Sequence, residues 1–127
     1  MIPEILIQEI EFLRKEGFRI KITEDGKLIK LIINSFPLPD GYSIKTSDIL
    51  LIFTYSYPVG KPDMFWLEQD VLLANGQVPN AAEVIEKHLG RSWRRVSWHS
   101  GKWNPGRDDL NTFISFIETG LLKARNK

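Results

Sequence analysis

Apolar positions near the start of the chain fall on one helical face. Ile2, Leu6, Ile10 and Leu13 recur at spacings of four, four and three, and Gly17 marks the end of the pattern. From Phe18 the period changes to two. Phe18, Ile20 and Ile22 alternate with Arg19, Lys21 and Thr23, which predicts a half-buried strand. Glu24-Asp25-Gly26 reads as a hairpin turn, and Leu28 to Ile33 as a second, more buried strand. Pro37, Pro39, Asp40 and Gly41 form a loop; Ile49 to Thr54 is a third strand and Met64 to Leu67 a short fourth. Between these two, Tyr57-Pro58-Val59-Gly60-Lys61-Pro62-Asp63 carries two prolines, which implies a rigid crossing loop. Val78, Ala82, Ile85 and Leu89 are spaced as a short helix closed by Gly90. The clearest element is the last. Leu110, Phe113, Ile114, Ile117 and Leu121 share a helical face, with Asp108 and Asp109 near its start and Lys123 and Arg125 near its end. The pattern predicts an α+β fold: an N-terminal helix, an antiparallel four-strand meander, an irregular segment and a C-terminal helix.

Composition narrows this picture. A length of 127 residues, 43% hydrophobic and 26% charged, suits one globular domain spanning residues 1–127. The net charge of +1 argues against whole-surface binding to nucleic acid or to an anionic membrane. With no cysteine, the chain has no disulfide, thiolate metal site or thiol nucleophile. Two histidines far apart give no metal constellation, and no glycine-rich phosphate loop is present, so no cofactor or metal is expected. The early residues mix acids with apolar side chains and lack a basic leader, and the apolar run around Leu31 to Ile33 is too short for a bilayer. The expected location is the cytoplasm.

One segment concentrates the candidate chemistry. Arg91 to Leu110, RSWRRVSWHSGKWNPGRDDL, holds three of the four tryptophans (Trp93, Trp98, Trp103) together with Arg91, Arg94, Arg95, Ser97 and His99.

The order of elements resembles the ubiquitin-conjugating-enzyme fold. Tyr57-Pro58 followed by Lys61-Pro62 is similar to the YPxxPP-type element after that family's third strand. Trp103-Asn104-Pro105-Gly106 is similar to the WSPA element that follows its active-site loop. The stretch from Pro62-Asp63-Met64-Phe65-Trp66-Leu67 to Asp108-Asp109-Leu110 more specifically resembles a bacterial branch, prokaryotic conjugating-enzyme family E. The resemblance implies a component of a bacterial ubiquitin-like conjugation system, accepting a ubiquitin-like protein from an activating enzyme and passing it to an amine. The partners it implies are a ubiquitin-like or poly-ubiquitin-like protein, an activating enzyme and a JAB-type peptidase; antiphage defence is a setting for such systems. In the resembled family the N-terminal helix docks the activating enzyme. This chain departs from the family in two ways. The HPN tripeptide is missing, with only Pro79-Asn80 similar to it, and so is the catalytic cysteine expected before the Trp-x-Pro element. A thioester on this chain is therefore excluded.

Ser97 and His99 lie where that cysteine is expected. If Val96 to His99 is extended, the two side chains face the same side. A serine hydroxyl needs an adjacent base to attack, and an imidazole can supply it. Ser97 is then the candidate nucleophile of an oxyester carrier and His99 its base; Ser100 is a weaker nucleophile, and Asn104 or a backbone N–H a candidate oxyanion donor. Against this stands a non-catalytic protein that binds a ubiquitin-like protein or its activating enzyme. Arg91, Arg94 and Arg95 either form a solvated basic face or grip a partner's tail, and Trp98 is either packed or an interface anchor. Trp103 is expected to roof the last helix. His88 is expected at a helix end, and Glu9, Arg14, Lys15 and Glu16 on the solvated side of the first helix.

Overall fold

A computed structural model describes residues 1–99 and 101–126. The first helix, α1 (Glu4–Lys15), buries Leu6, Ile10 and Leu13. It ends through Gly17, whose φ of +104° is left-handed. The Gly17 N–H donates to the Arg14 carbonyl and the Phe18 N–H to the Leu13 carbonyl, the paired closure that a glycine permits after a helix. The meander follows as β1 (Arg19–Asp25), β2 (Leu28–Pro37), β3 (Thr46–Thr54) and β4 (Phe65–Glu68), each antiparallel to the next. A bulge lies between Ile33 and Phe36 of β2; Ser35 there has φ +55°, and its N–H donates to Asp48 Oδ1 at 2.9 Å.

The sheet has six strands, not the four expected. The predicted helix around Val78 to Leu89 is instead β5 (Val84–His88), and β6 (Arg91–Val96) returns beside it. The order is β1-β2-β3-β4-β6-β5, with β6 antiparallel to both β4 and β5. The reason is the turn. Leu89 (φ +53°) and Gly90 (φ +76°) form a two-residue connection with both residues left-handed, the geometry that matches the twist of a tight hairpin. Gly90 thus closes a hairpin rather than a helix, and His88 ends a strand.

Helix α2 (Leu110–Ala124) begins at a capping box. Asp109 Oδ1 accepts the Thr112 N–H at 2.9 Å, while the Thr112 hydroxyl oxygen reaches back to the Asp109 N–H. Phe113, Ile117 and Leu121 of α2 and Leu6, Ile10 and Leu13 of α1 share one core with Ile29, Leu31, Leu51, Phe53, Phe65 and Leu67 of the sheet. The opposite sheet face buries a smaller cluster of Leu50, Trp66 and Trp93, with Ile32, Ile52, Met64 and Leu89 packed against it. Burial on both faces explains the unbroken apolar run of β3.

Glu9 is not on the solvated side of α1. Its Oε1 accepts from the Tyr57 hydroxyl and, at 2.9 Å, from the Leu110 N–H at the start of α2. One carboxylate thus joins α1, the crossing loop and α2. Burial, then the bond to Glu9, raises the Tyr57 hydroxyl well above its ordinary pKa.

Candidate functional site

Strand alternation sorts the first half of the Arg91–Leu110 segment. Trp93 points to the outer sheet face and is fully buried there, its Nε1–H donating to the His88 carbonyl at 3.0 Å. Arg91 lies over the Trp93 ring at 4.3 Å and pairs with Asp48 at 3.2 Å and Glu68 at 3.9 Å. Arg94 turns inward and is buried, donating to the carbonyls of Ala82 at 2.8 Å and Gln69 at 3.0 Å. Arg95 pairs with Glu86 at 2.8 Å. Glu86 also accepts from Trp66 Nε1 at 2.9 Å and lies 3.0 Å from His88 Nε2. The His88 contact, with help from Trp66 and Arg95 and against the cost of burial, holds the Glu86 carboxyl below the usual carboxylate range. All three arginines thus have partners inside the chain.

Beyond Val96 the strand ends. The Ser97 N–H donates to the Ala81 carbonyl at 2.9 Å, and its hydroxyl oxygen accepts from Arg95 Nε at 3.1 Å. His99 is 69% exposed, and its Nδ1 lies 2.8 Å from Asp63 Oδ2. The structure gives Ser97 and His99 different partners: a guanidinium for the first, a carboxylate for the second. Ser100 lies outside the described residues.

Trp98 is half-buried against the core beside Gly120 of α2, with the Lys123 ammonium 5.4 Å from its ring centroid. Trp103 packs on the crossing loop, 6.2 Å from the Tyr57 ring, and its Nε1–H donates to the Pro58 carbonyl at 2.8 Å. The Tyr57-Pro58 and Trp103-Asn104-Pro105-Gly106 motifs therefore touch, and the Lys61 ammonium ties the same two loops by donating to the Gly101 carbonyl at 2.9 Å. The Tyr57-Pro58 peptide bond is cis. Asn104 caps its own turn, Oδ1 accepting the Gly106 N–H at 2.9 Å. Pro79-Asn80 sits in the β4–β5 connection, where the Asn80 N–H donates to the Ala124 carbonyl at the end of α2.

Sequence reading missed Asp63 and Glu9. Asp63 stands in the recognised Pro62-Asp63-Met64 stretch, but its partner lies 36 positions away, and no local spacing signals such a pair. Glu9 looks like any acid of an amphipathic helix until α2 is placed against it. Among the described residues no group of three or more His, Cys, Asp or Glu is placed to hold a metal ion, and no helix is long and apolar enough to cross a membrane.

Two helices share one core with an antiparallel sheet, and a tryptophan-rich segment runs from the last strand into the final helix, in an α+β protein. The chain belongs to prokaryotic E2 family E, whose family model matches residues 5–124. Comparison with curated proteins and with solved structures returned no match. Membership places the chain with ubiquitin-like conjugation systems, whose E2-like members work with ubiquitin-like proteins and activating enzymes.

Proposed function

We propose that this chain is a non-carrier component of its conjugation system: it binds the ubiquitin-like protein or the activating enzyme and presents it for transfer without taking the acyl group on a side chain of its own. The observation that carries this reading is the setting of Ser97. Its hydroxyl is engaged by Arg95 Nε, and a guanidinium is a donor that cannot act as a base. Among the described residues no hydrogen bond joins that hydroxyl to the His99 ring, whose Nδ1 lies 2.8 Å from Asp63 Oδ2. A serine without a base is a poor nucleophile at neutral pH, and the chain has no cysteine to replace it.

An exposed apolar groove on α1 supports the binding role. Ile5 and Phe12 are exposed and, with Gln8, Asp109 and Asn111, line an apolar groove of about 310 Å³ beside the start of α2. We assign this groove to the activating enzyme. Titration of the full chain with its ubiquitin-like protein and with the activating enzyme tests the reading. Stoichiometric binding to at least one is expected, and Phe12→Asp weakens binding to the activating enzyme roughly tenfold or more while leaving the circular dichroism spectrum unchanged. Absence of binding to both overturns it. The competing reading, an oxyester on Ser97 with His99 as base, requires the Ser97 hydroxyl to reach His99 Nε2; a thiol-resistant, base-labile adduct that disappears in Ser97→Ala would establish it.

A further inference from the structure

His99 retains a reactive face that the binding role does not use. Its Nδ1 lies 2.8 Å from Asp63 Oδ2. A carboxylate only accepts, so in the neutral ring the proton sits on Nδ1 and the lone pair on Nε2. The ring is 69% exposed, so a group carried by another protein can reach it. The loop that carries it is fixed to the crossing loop by Lys61, and Asp63 follows Pro62 on that same loop. The nearby arginines, Ser97 and Trp103 already have partners of their own.

We infer that His99 is a general base for acyl transfer to an amine, with Asp63 as its positioning residue. The inference rests on the non-carrier reading above. The acyl donor is then a thioester between the ubiquitin-like protein's C-terminus and a cysteine of the activating enzyme. The amine lone pair attacks the thioester carbonyl carbon. The C–N bond forms, the C–S bond breaks, and the thiolate leaves on the activating enzyme. The proton shed by the amine passes to His99 Nε2, and the Asp63 carboxylate stabilises the resulting imidazolium until the proton moves to water. Such a base contributes on the order of 100-fold or more.

The test uses the full chain, the activating enzyme charged with the ubiquitin-like protein, and free lysine as the amine. Wild type is expected to speed lysine-dependent loss of the thioester. His99→Ala loses that acceleration by roughly 100-fold with binding to the charged enzyme unchanged, and added imidazole restores part of it. Asp63→Asn loses roughly tenfold or more, and ¹⁵N spectra of His99 show the proton redistributed from Nδ1 toward Nε2. An His99→Ala protein as fast as wild type overturns the inference, as does a wild-type ring protonated on Nε2 in its neutral form. Binding without acceleration overturns the inference alone; failure of wild type to bind the charged enzyme overturns it together with the non-carrier reading.

Discussion

Arg94 shows how a residue's chemistry is decided by which way its strand turns it. The basic run Arg91, Arg94, Arg95 reads as one surface patch, yet alternation along β6 sends Arg94 into the interior, where it holds the carbonyls of Ala82 and Gln69. Replacing it with methionine leaves the Ala82 and Gln69 carbonyls without their charged donor. We expect a loss of about 2 kcal/mol in unfolding free energy by urea denaturation, an amount typical of hydrogen bonds to charged groups. Gly120 makes the converse case. A Cβ there would lie 2.9 Å from Phe65 Cε1, and that ring is fully buried. Gly120→Ala should therefore cost about 1–3 kcal/mol and lower the melting temperature, although alanine favours a helix elsewhere. Neither residue announces its role in the sequence. The inward turn of Arg94 depends on β6 being a strand, and the crowding at Gly120 depends on the docking of α2 on β4. The surroundings of Ser97 and His99 depend on the same kind of knowledge: spacing alone allows the pair, and the fold places Arg95 on the Ser97 hydroxyl and Asp63 on the His99 ring.

At the scale of elements, strong periodicity and clean ends carried the reading. α1, the first hairpin and α2 fall where the apolar spacing puts them, because each buries a single face or alternates cleanly. The β5–β6 hairpin did not, because Val78, Ala82, Ile85 and Leu89 fit a helical spacing by coincidence. The β-branched Val84 and Ile85 and the left-handed Leu89-Gly90 pair decide for a strand. Its consequence is positional: β6 sends Arg91 and Arg95 to one face and Arg94 to the other, and Ser97, Trp98 and His99 follow its end. The start of α2 is equally local. Asp109→Ala removes the cap on Thr112 and should cost about 1 kcal/mol, measured as a fall in the chemical denaturation midpoint.

For the whole molecule, the outer sheet face is stapled by Glu86, which joins β5 to Trp66 of β4 and Arg95 of β6. Because the folded state holds this carboxyl below its ordinary pKa, its contribution is fully present above the unfolded value and is lost as pH falls through the folded one. Stability should therefore drop as pH falls below about 4.3, and Glu86→Gln should flatten part of that drop in a series of melting curves. The family was legible from motifs that the fold then brings together, since Tyr57-Pro58 and Trp103 touch in space. The partners of Ser97 and His99 were not legible, because Asp63 lies 36 positions from His99 and Arg95 meets Ser97 only where β6 ends.

The central claim is that this chain serves transfer without carrying the acyl group. Intact-mass measurement of the chain after incubation with activating enzyme, ATP, ubiquitin-like protein and an amine tests it most directly. The account predicts an unchanged mass for the chain alongside growing amine conjugate. A chain heavier by one ubiquitin-like protein less one water, restored by base and absent in Ser97→Ala, would contradict it.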